Sequence, residues 1–311
     1  MSNTGYREYV LGPEKIQENI ILITGTSRAG KTLLSKVLAS HKNVEWIEEP
    51  YELYNLTILC GLGMIEKELF RMMFTSSVHE LIVNNVLLRN ANFRPGDLSS
   101  IRNYKSESDI THRRDVLSSR TDVEKYIREV KPYFILDIPD ILPFTDVIRD
   151  VCENLTVINV VRDPYGVADD CYRKGWFASD DKQLSDNNLF RKYGEHKLPW
   201  WVREGEETLF ADATVYGKGL LYWLTVQAWN KDEKLNAGRY DIIMRYEDMV
   251  GDIDKALKNL AGTIELEATA ITEDIKREFK PGFTKPLDEK ERVTGLPESE
   301  SLTVIMKRLG Y

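Results

Sequence analysis

The chain has 311 residues, 42% of them apolar and 30% charged, and a formal net charge of −8. That length suits one large α/β domain or two small ones, and the acidic balance argues against a nucleic-acid binder, which carries a basic face. Its three cysteines (Cys60, Cys152, Cys171) fit neither a metal-ligand spacing nor a disulfide framework.

No apolar run approaches the roughly 20 residues that cross a bilayer. The first residues, with Tyr6, Arg7, Glu8 and Pro13, are too polar for a signal peptide, so a reducing, cytoplasmic setting is expected. Residues 1–18 read as a polar lead-in. Ile20 to Ile23 is a short β-branched run of the kind that forms a buried parallel strand. It breaks into a loop holding Gly25 and Gly30, and a helical period follows at Leu34, Val37 and Leu38. A strand, a glycine loop and a helix in succession turn backbone N–H groups and a helix N-terminus toward one anion. Gly25 to Thr32 also satisfies G-x-x-x-x-G-K-[ST], the pattern of a phosphate-binding loop.

Val44 to Ile47 predicts a second strand, stopped by Glu48-Glu49-Pro50, so that two carboxylates fall at a strand's C-terminal end. In open α/β sheets that edge is where ligands bind. Tyr51 to Asn90 is mostly helical in pattern, while 91–121 is polar and punctuated and is expected to be a mobile insertion. Its Arg94, Arg102, Lys105, Arg113, Arg114 and Arg120 suit either a solvated loop or a group that closes over an anionic ligand. Tyr133 to Asp137 predicts a third strand ending in an acid, and a helical stretch is expected to end near Cys152.

Thr156 to Val161 predicts a fourth strand running into Arg162-Asp163-Pro164. A second insertion, 176–214, carries Trp176, Phe177, Tyr193, Trp200 and Trp201, which suit a flat acceptor or a seal against the core. Leu220 to Trp229 is an apolar helix, Asp241 to Tyr246 a fifth strand, and Ala256 to Leu260 another helix. An amphipathic helix at Leu302, Ile305, Met306 and Leu309 runs into Gly310-Tyr311. Alternating strands and helices imply an α/β fold, a P-loop-type parallel sheet wrapped by helices. Residues 19–311 are expected to form one domain with the two insertions.

Taken together and in this order, the motifs resemble the sulfotransferases that use 3′-phosphoadenosine 5′-phosphosulfate (PAPS), over roughly residues 20–311. Arg28-Ala29-Gly30-Lys31-Thr32-Leu33-Leu34 is similar to the family's 5′-phosphosulfate loop, with Ala29 and Lys31 as departures. Leu38, His41, Val44 and Glu48-Glu49 resemble the tyrosylprotein branch and related carbohydrate enzymes, which implies that Glu49 is the catalytic base. Asp137-Ile138-Pro139 falls where the cytosolic branch carries a His-Leu-Pro base, which makes Asp137 the second candidate. Val160-Val161-Arg162-Asp163-Pro164 resembles the 3′-phosphate motif, but the position eight past the arginine is Asp170 where the family has serine. An ionised carboxylate cannot donate to a phosphate and repels it, so the resemblance implies other 3′-phosphate contacts, such as Arg173 or a basic residue of the insertions. Arg245-Tyr246-Glu247-Asp248 and the closing Leu309-Gly310-Tyr311 complete the likeness.

The resemblance implies sulfuryl transfer from PAPS to a hydroxyl or amine, with a glycan or a small molecule as acceptor and no metal required. Thr26, Ser27, Arg28, Ala29, Gly30, Lys31, Thr32, Leu33 and Arg162 would then bind the donor, and Arg28 and Lys31 would neutralise charge on the bridging oxygen. Arg162 offers a fork that matches a phosphate better than a lysine would. Two alternatives stand beside this one. A magnesium-dependent P-loop nucleoside-triphosphate kinase would use Lys31 and Thr32, with Asp137 on the metal, and a non-catalytic nucleotide-binding module would need only the loop. A kinase has no use for the Arg162, Arg245 and Leu-Gly-Tyr segments.

Overall fold

The computed structural model describes residues 15–178, 189–229, 238–278, 286–296 and 300–311. Five strands form one parallel sheet: β1 (Ile16–Thr24), β2 (Val44–Glu48), β3 (Tyr133–Asp137), β4 (Cys152–Val161) and, after a separate hairpin of β5 (Phe190–Tyr193) and β6 (His196–Pro199), β7 (Ile242–Arg245). Their order in space is β2-β3-β1-β4-β7, every pairing is parallel, and the register sets Ile23 and Glu48 beside Asp137. The chain leaves β1 toward one edge and later returns to its other side, so the strand order switches at β1, where α/β sheets hold their ligands.

Side-chain alternation explains why β1 reads as a continuous apolar run. Ile20 and Leu22 enter the core on one face, Ile21 and Ile23 the core on the other, and all four are at most 1% exposed. A strand buried on both faces has no polar side. The helix α1 (Lys31–Ala39) covers one face through Leu34, Val37 and Leu38. The opposite face is covered by α2 (Tyr51–Gly61) and α3 (Lys67–Val86), with Phe70 and Phe74 fully buried. No helix among the described residues is long and apolar enough to cross a membrane.

All five expected strands are present, with shifted ends. β1 starts at Ile16 and β4 at Cys152, where the pattern predicted the end of a helix; the helix there, α6, is only Thr145–Arg149. The early part of β4 (Glu153, Asn154) is exposed, so it lacks the apolar signal that marks its second half. The expected lead-in lies largely outside the described residues, as do 179–188 of the second insertion.

Residues 91–121 do not match a mobile loop closing over a ligand. They contain a single helical turn at Ile101–Asn103 and the helix α4 (Glu107–Val116), ahead of α5 (Arg120–Val130). Arg113 is buried and grips Glu45 of β2 with both ends of its fork, at 2.6 Å each. Lys105 donates to the Val44 carbonyl at 2.7 Å and lies 3.7 Å from the same carboxylate. Burial pushes the Glu45 carboxyl upward, but the Arg113 and Lys105 charges outweigh it and hold the group below the ordinary carboxylate range. The physical reason for the correction is this acid on a buried strand: leaving it unpaired would cost far more than recruiting cations from the neighbouring segment. Removing one partner of such a pair typically costs about 3–5 kcal/mol. Arg113→Met is therefore expected to lower unfolding free energy by about 3 kcal/mol in urea titrations; a loss under about 1 kcal/mol would show that the pair is not what anchors this segment.

Candidate functional site

A cavity of about 690 Å³ opens along the carboxyl edge of the sheet. Each strand sends it residues from the segment just past its end: the glycine loop from β1, Glu49 from β2, Pro139 and Asp140 from β3, Arg162 from β4 and Tyr246 from β7. The expected residues Ser27, Arg28, Gly30, Lys31, Thr32, Leu33, Glu49 and Arg162 all line it. Thr26 and Ala29 lie behind that surface, fully buried. Asp137 is also buried and is not among the lining residues. None of the six basic residues singled out in 91–121 reaches the cavity; that segment contributes Leu98.

The loop is built to meet an anion. Gly25 and Gly30 have φ of 120° and 96°, a region that L side chains rarely enter. A Cβ at Gly25 would sit 2.2 Å from the Val160 carbonyl oxygen, and one at Gly30 would sit 2.6 Å from the Tyr246 ring. Gly30 caps α1, whose first residues Lys31, Thr32 and Leu33 face the cavity, so the free amides of a helix N-terminus point into it. The Lys31 ammonium folds back onto the Thr26 carbonyl at 3.0 Å. Among the described residues, the buried Thr26 hydroxyl oxygen has no hydrogen-bond partner. Amides and an ammonium in one place form a donor set for a phosphate, and the residues present fit a nucleotide phosphate.

Three residues that sequence reasoning missed hold the loop in shape. The Ser27 amide donates to both the Asp140 carboxylate, at 3.0 Å, and the Tyr222 phenol oxygen, at 2.6 Å, while the phenol donates to Asp140. Burial pushes the Asp140 carboxyl up, opposed by Lys31 and by the two hydrogen bonds. On the other side Tyr246 covers Gly30 and stacks under Arg162, whose guanidinium is 4.8 Å from the ring centre. The only signal for Tyr246 was its place in the Arg245-Tyr246-Glu247-Asp248 motif; Asp140 and Tyr222 carried none.

Backbone strain gathers here as well. Of the seven non-glycine residues with positive φ among those described, Arg28, Glu49, Asp140 and Phe177 line this cavity. Such conformations cost about 1–3 kcal/mol each and persist where surrounding structure over-determines them. Glu49, at φ 37°, is held by its amide, which donates to the Asp137 carbonyl at 3.1 Å. The base of the cavity is polar in a different way. Burial pushes Asp137 up to about 7, against the pull of Lys31. Its Oδ2 takes the Ser35 hydroxyl at 3.0 Å, while Oδ1 has no partner among the described residues.

Another part of the lining is aromatic. Tyr51, Tyr54, Trp176, Phe177 and Trp201 form it, together with Tyr222. Two of the second insertion's three tryptophans, neighbours in sequence, sit differently. Trp200 is sealed in the core, donating to the Tyr54 hydroxyl at 2.9 Å, whereas Trp201 faces the cavity and packs against Tyr222 with ring centres 5.3 Å apart.

The Arg245-Tyr246-Glu247 segment and Tyr311 converge behind Arg162. The Asp163 amide donates to Glu247 at 3.0 Å, the other oxygen of Glu247 accepts from the Tyr311 hydroxyl at 2.7 Å, and Arg245 lies 4.5 Å from the Tyr311 ring centre. A glycine-loop cavity on a parallel sheet, braced in this way, suits a protein that holds a nucleotide phosphate. The Sulfotransferase family profile matches residues 20–270, and the chain belongs to that family; it is an enzyme of the PAPS-dependent sulfotransferase class. The kinase and non-catalytic alternatives fall with that assignment.

Among solved structures, the chain is similar to the sulfotransferase domain of the Synechococcus PCC 7002 olefin synthase, at 15% identity and a TM-score of 0.45, over 98% of this chain and 99% of that one. It is similar to the sulfotransferase domain of the curacin biosynthetic pathway at 15% identity and a TM-score of 0.48, over 96% and 99% of the two chains. Sulfotransferase STF9 from Mycobacterium avium matches at 15% identity and a TM-score of 0.39, over 96% of this chain and 76% of that one. No curated protein matches the sequence. The family assignment rests on the profile.

The raised Asp137 has a consequence in solution. A buried acid whose folded pKa exceeds its unfolded value of roughly 3.9 contributes stability that is full below the unfolded value and is lost as pH rises through about 7. Asp137→Asn should remove that component. Urea unfolding at pH 5 and pH 8 is expected to show a smaller fall with rising pH in the variant than in the parent, and equal falls would place the ionisation elsewhere.

Proposed function

We propose that the chain moves a sulfuryl group from PAPS to a hydroxyl acceptor, with Glu49 as general base. The observation that carries this reading is that Glu49, Arg28 and Lys31 line one cavity, with the carboxylate and the loop supplied by the ends of different strands. The loop amides, Lys31 and Thr32 bind the 5′-phosphate, and Arg162 takes a second anionic group of the donor. PAPS supplies the sulfur: the bond between its bridging phosphate oxygen and sulfur breaks as one forms to the acceptor oxygen. Glu49 accepts the acceptor's proton, and Lys31 and Arg28 neutralise the charge left on the departing phosphate.

Glu49 is favoured over Asp137 because it lines the cavity, while Asp137 lies beneath the surface with its carboxylate on Ser35. The aromatic wall supports an acceptor that presents a flat or apolar face beside its hydroxyl. A sugar ring and a phenol both qualify.

Thermal unfolding with adenosine 3′,5′-bisphosphate, with and without magnesium, tests the donor site. At about 100 times its dissociation constant the ligand should add roughly 2.7 kcal/mol, independent of magnesium. With PAPS and an acceptor panel, Glu49→Gln is expected to lower kcat about 10²–10⁴-fold while leaving bisphosphate affinity within threefold. A variant that keeps near-parental kcat would remove Glu49 from the reaction.

A further inference from the structure

Three guanidinium groups converge on one buried carboxylate in the cavity wall. Asp170, on the helix α7 (Pro164–Arg173), is 6% exposed. Arg162 Nη1 donates to its Oδ2 at 2.7 Å, Arg28 Nε lies 3.7 Å from the same oxygen, and Arg173 Nη1 lies 3.9 Å from Oδ1. Arg28, Arg162 and Asp170 all face the cavity that contains the glycine loop.

Arg162 does not depend on Asp170 for its aim. The same Nη1 donates to the Arg28 carbonyl at 3.0 Å, the guanidinium lies over Tyr246, and the Arg162 carbonyl is held by Trp223 Nε1 at 2.9 Å. With its direction already set, the carboxylate occupies the position where an arginine fork would receive an anion. Three arginines and one carboxylate sum to a local charge near +2. A phosphate monoester carries about −1.5 to −2 at neutral pH. The cluster is therefore matched to one phosphate, whereas three arginines alone would bind it in excess.

Resting on the reading that a nucleotide with two separate phosphate groups enters this cavity, we propose that Asp170 is a specificity-determining residue, an internal competitor for the phosphate that is not held by the loop. It lowers affinity at the arginine cluster selectively, and it speeds departure of the bisphosphate product. A phosphate that reaches Arg28 and Arg162 must share them with, or displace, a charge of its own sign, and like charges at such separations repel. A ligand held by the loop amides, Lys31 and Thr32, short of Arg162, meets less of that repulsion.

The test compares Asp170→Asn and Asp170→Ser with the parent. Adenosine 3′,5′-bisphosphate and adenosine 5′-phosphate are titrated calorimetrically at one salt concentration, with circular dichroism and thermal unfolding run alongside. Both variants are expected to bind the bisphosphate at least tenfold more tightly, with the monophosphate changed less than threefold, and single-turnover experiments should show product release slowed in proportion. Weaker bisphosphate binding, an equal change for both ligands, or failure of both variants to fold would overturn the proposal and make Asp170 a structural counter-ion. If the parent binds neither nucleotide, the donor reading itself fails; if it binds both and the ratio does not move, only the role of Asp170 does.

Discussion

Everything at this site depends on the close approach of backbone at the two glycines that bracket the loop. Gly25 lies against the Val160 carbonyl of the neighbouring strand and Gly30 lies under the Tyr246 ring, each nearer than a methyl group would permit. Because the chain turns in so little space, α1 begins directly after the loop, and its first residues line the cavity at the sheet edge. The grip extends to both sides. Asp140, its own amide bonded to the Gly25 carbonyl at 2.9 Å, holds Ser27 from one flank, and Tyr246 presses from the other. A phosphate-binding loop gains from such preorganisation because its dipoles need not reorient when charge arrives.

The same principle accounts for the distance in sequence between segments that behave as one. Arg162-Asp163, Arg245-Tyr246-Glu247 and Tyr311 have no reason to occur together until the sheet sets β7 beside β4. Glu247 then bridges the start of α7 and the Tyr311 phenol, while Tyr246 supports the arginine. Only Tyr246 and Arg162 of this group face the cavity. The others hold the arginine's surroundings rigid, which is how a site gains precision from residues that never touch a ligand.

What was legible in the sequence follows from where signals are local. A parallel strand buried on both faces announces itself as an apolar run, so β1, β2, β3 and the second half of β4 were readable, and with them the loop, Glu49 and Arg162 at their carboxyl ends. The partly exposed starts of β1 and β4, through Gln17, Glu18, Glu153 and Asn154, were not. Pairings across long stretches of chain were equally silent. Arg113 reads as one more charge in a polar segment until β2 places Glu45 in front of it, 68 residues away in sequence. Asp140 and Tyr222, 82 residues apart, meet only in the folded chain. The left-handed backbone at Glu49 and Asp140 has no compositional signature either, since neither is the glycine that such angles usually call for.

Tyr222 belongs to two surfaces at once. Its ring packs against Trp201 and Phe177 in the aromatic wall, and its oxygen holds the Ser27 amide and Asp140. The aromatic wall and the glycine loop therefore share a single side chain. Over evolutionary time the hairpin and its neighbours are free to be resculpted only within limits: a replacement at Trp201 that unseats this ring also disturbs an amide of the glycine loop. Changes in what the wall admits should thus accumulate in company with compensating changes around Tyr222, so that the history of one half of the cavity is written partly in the other.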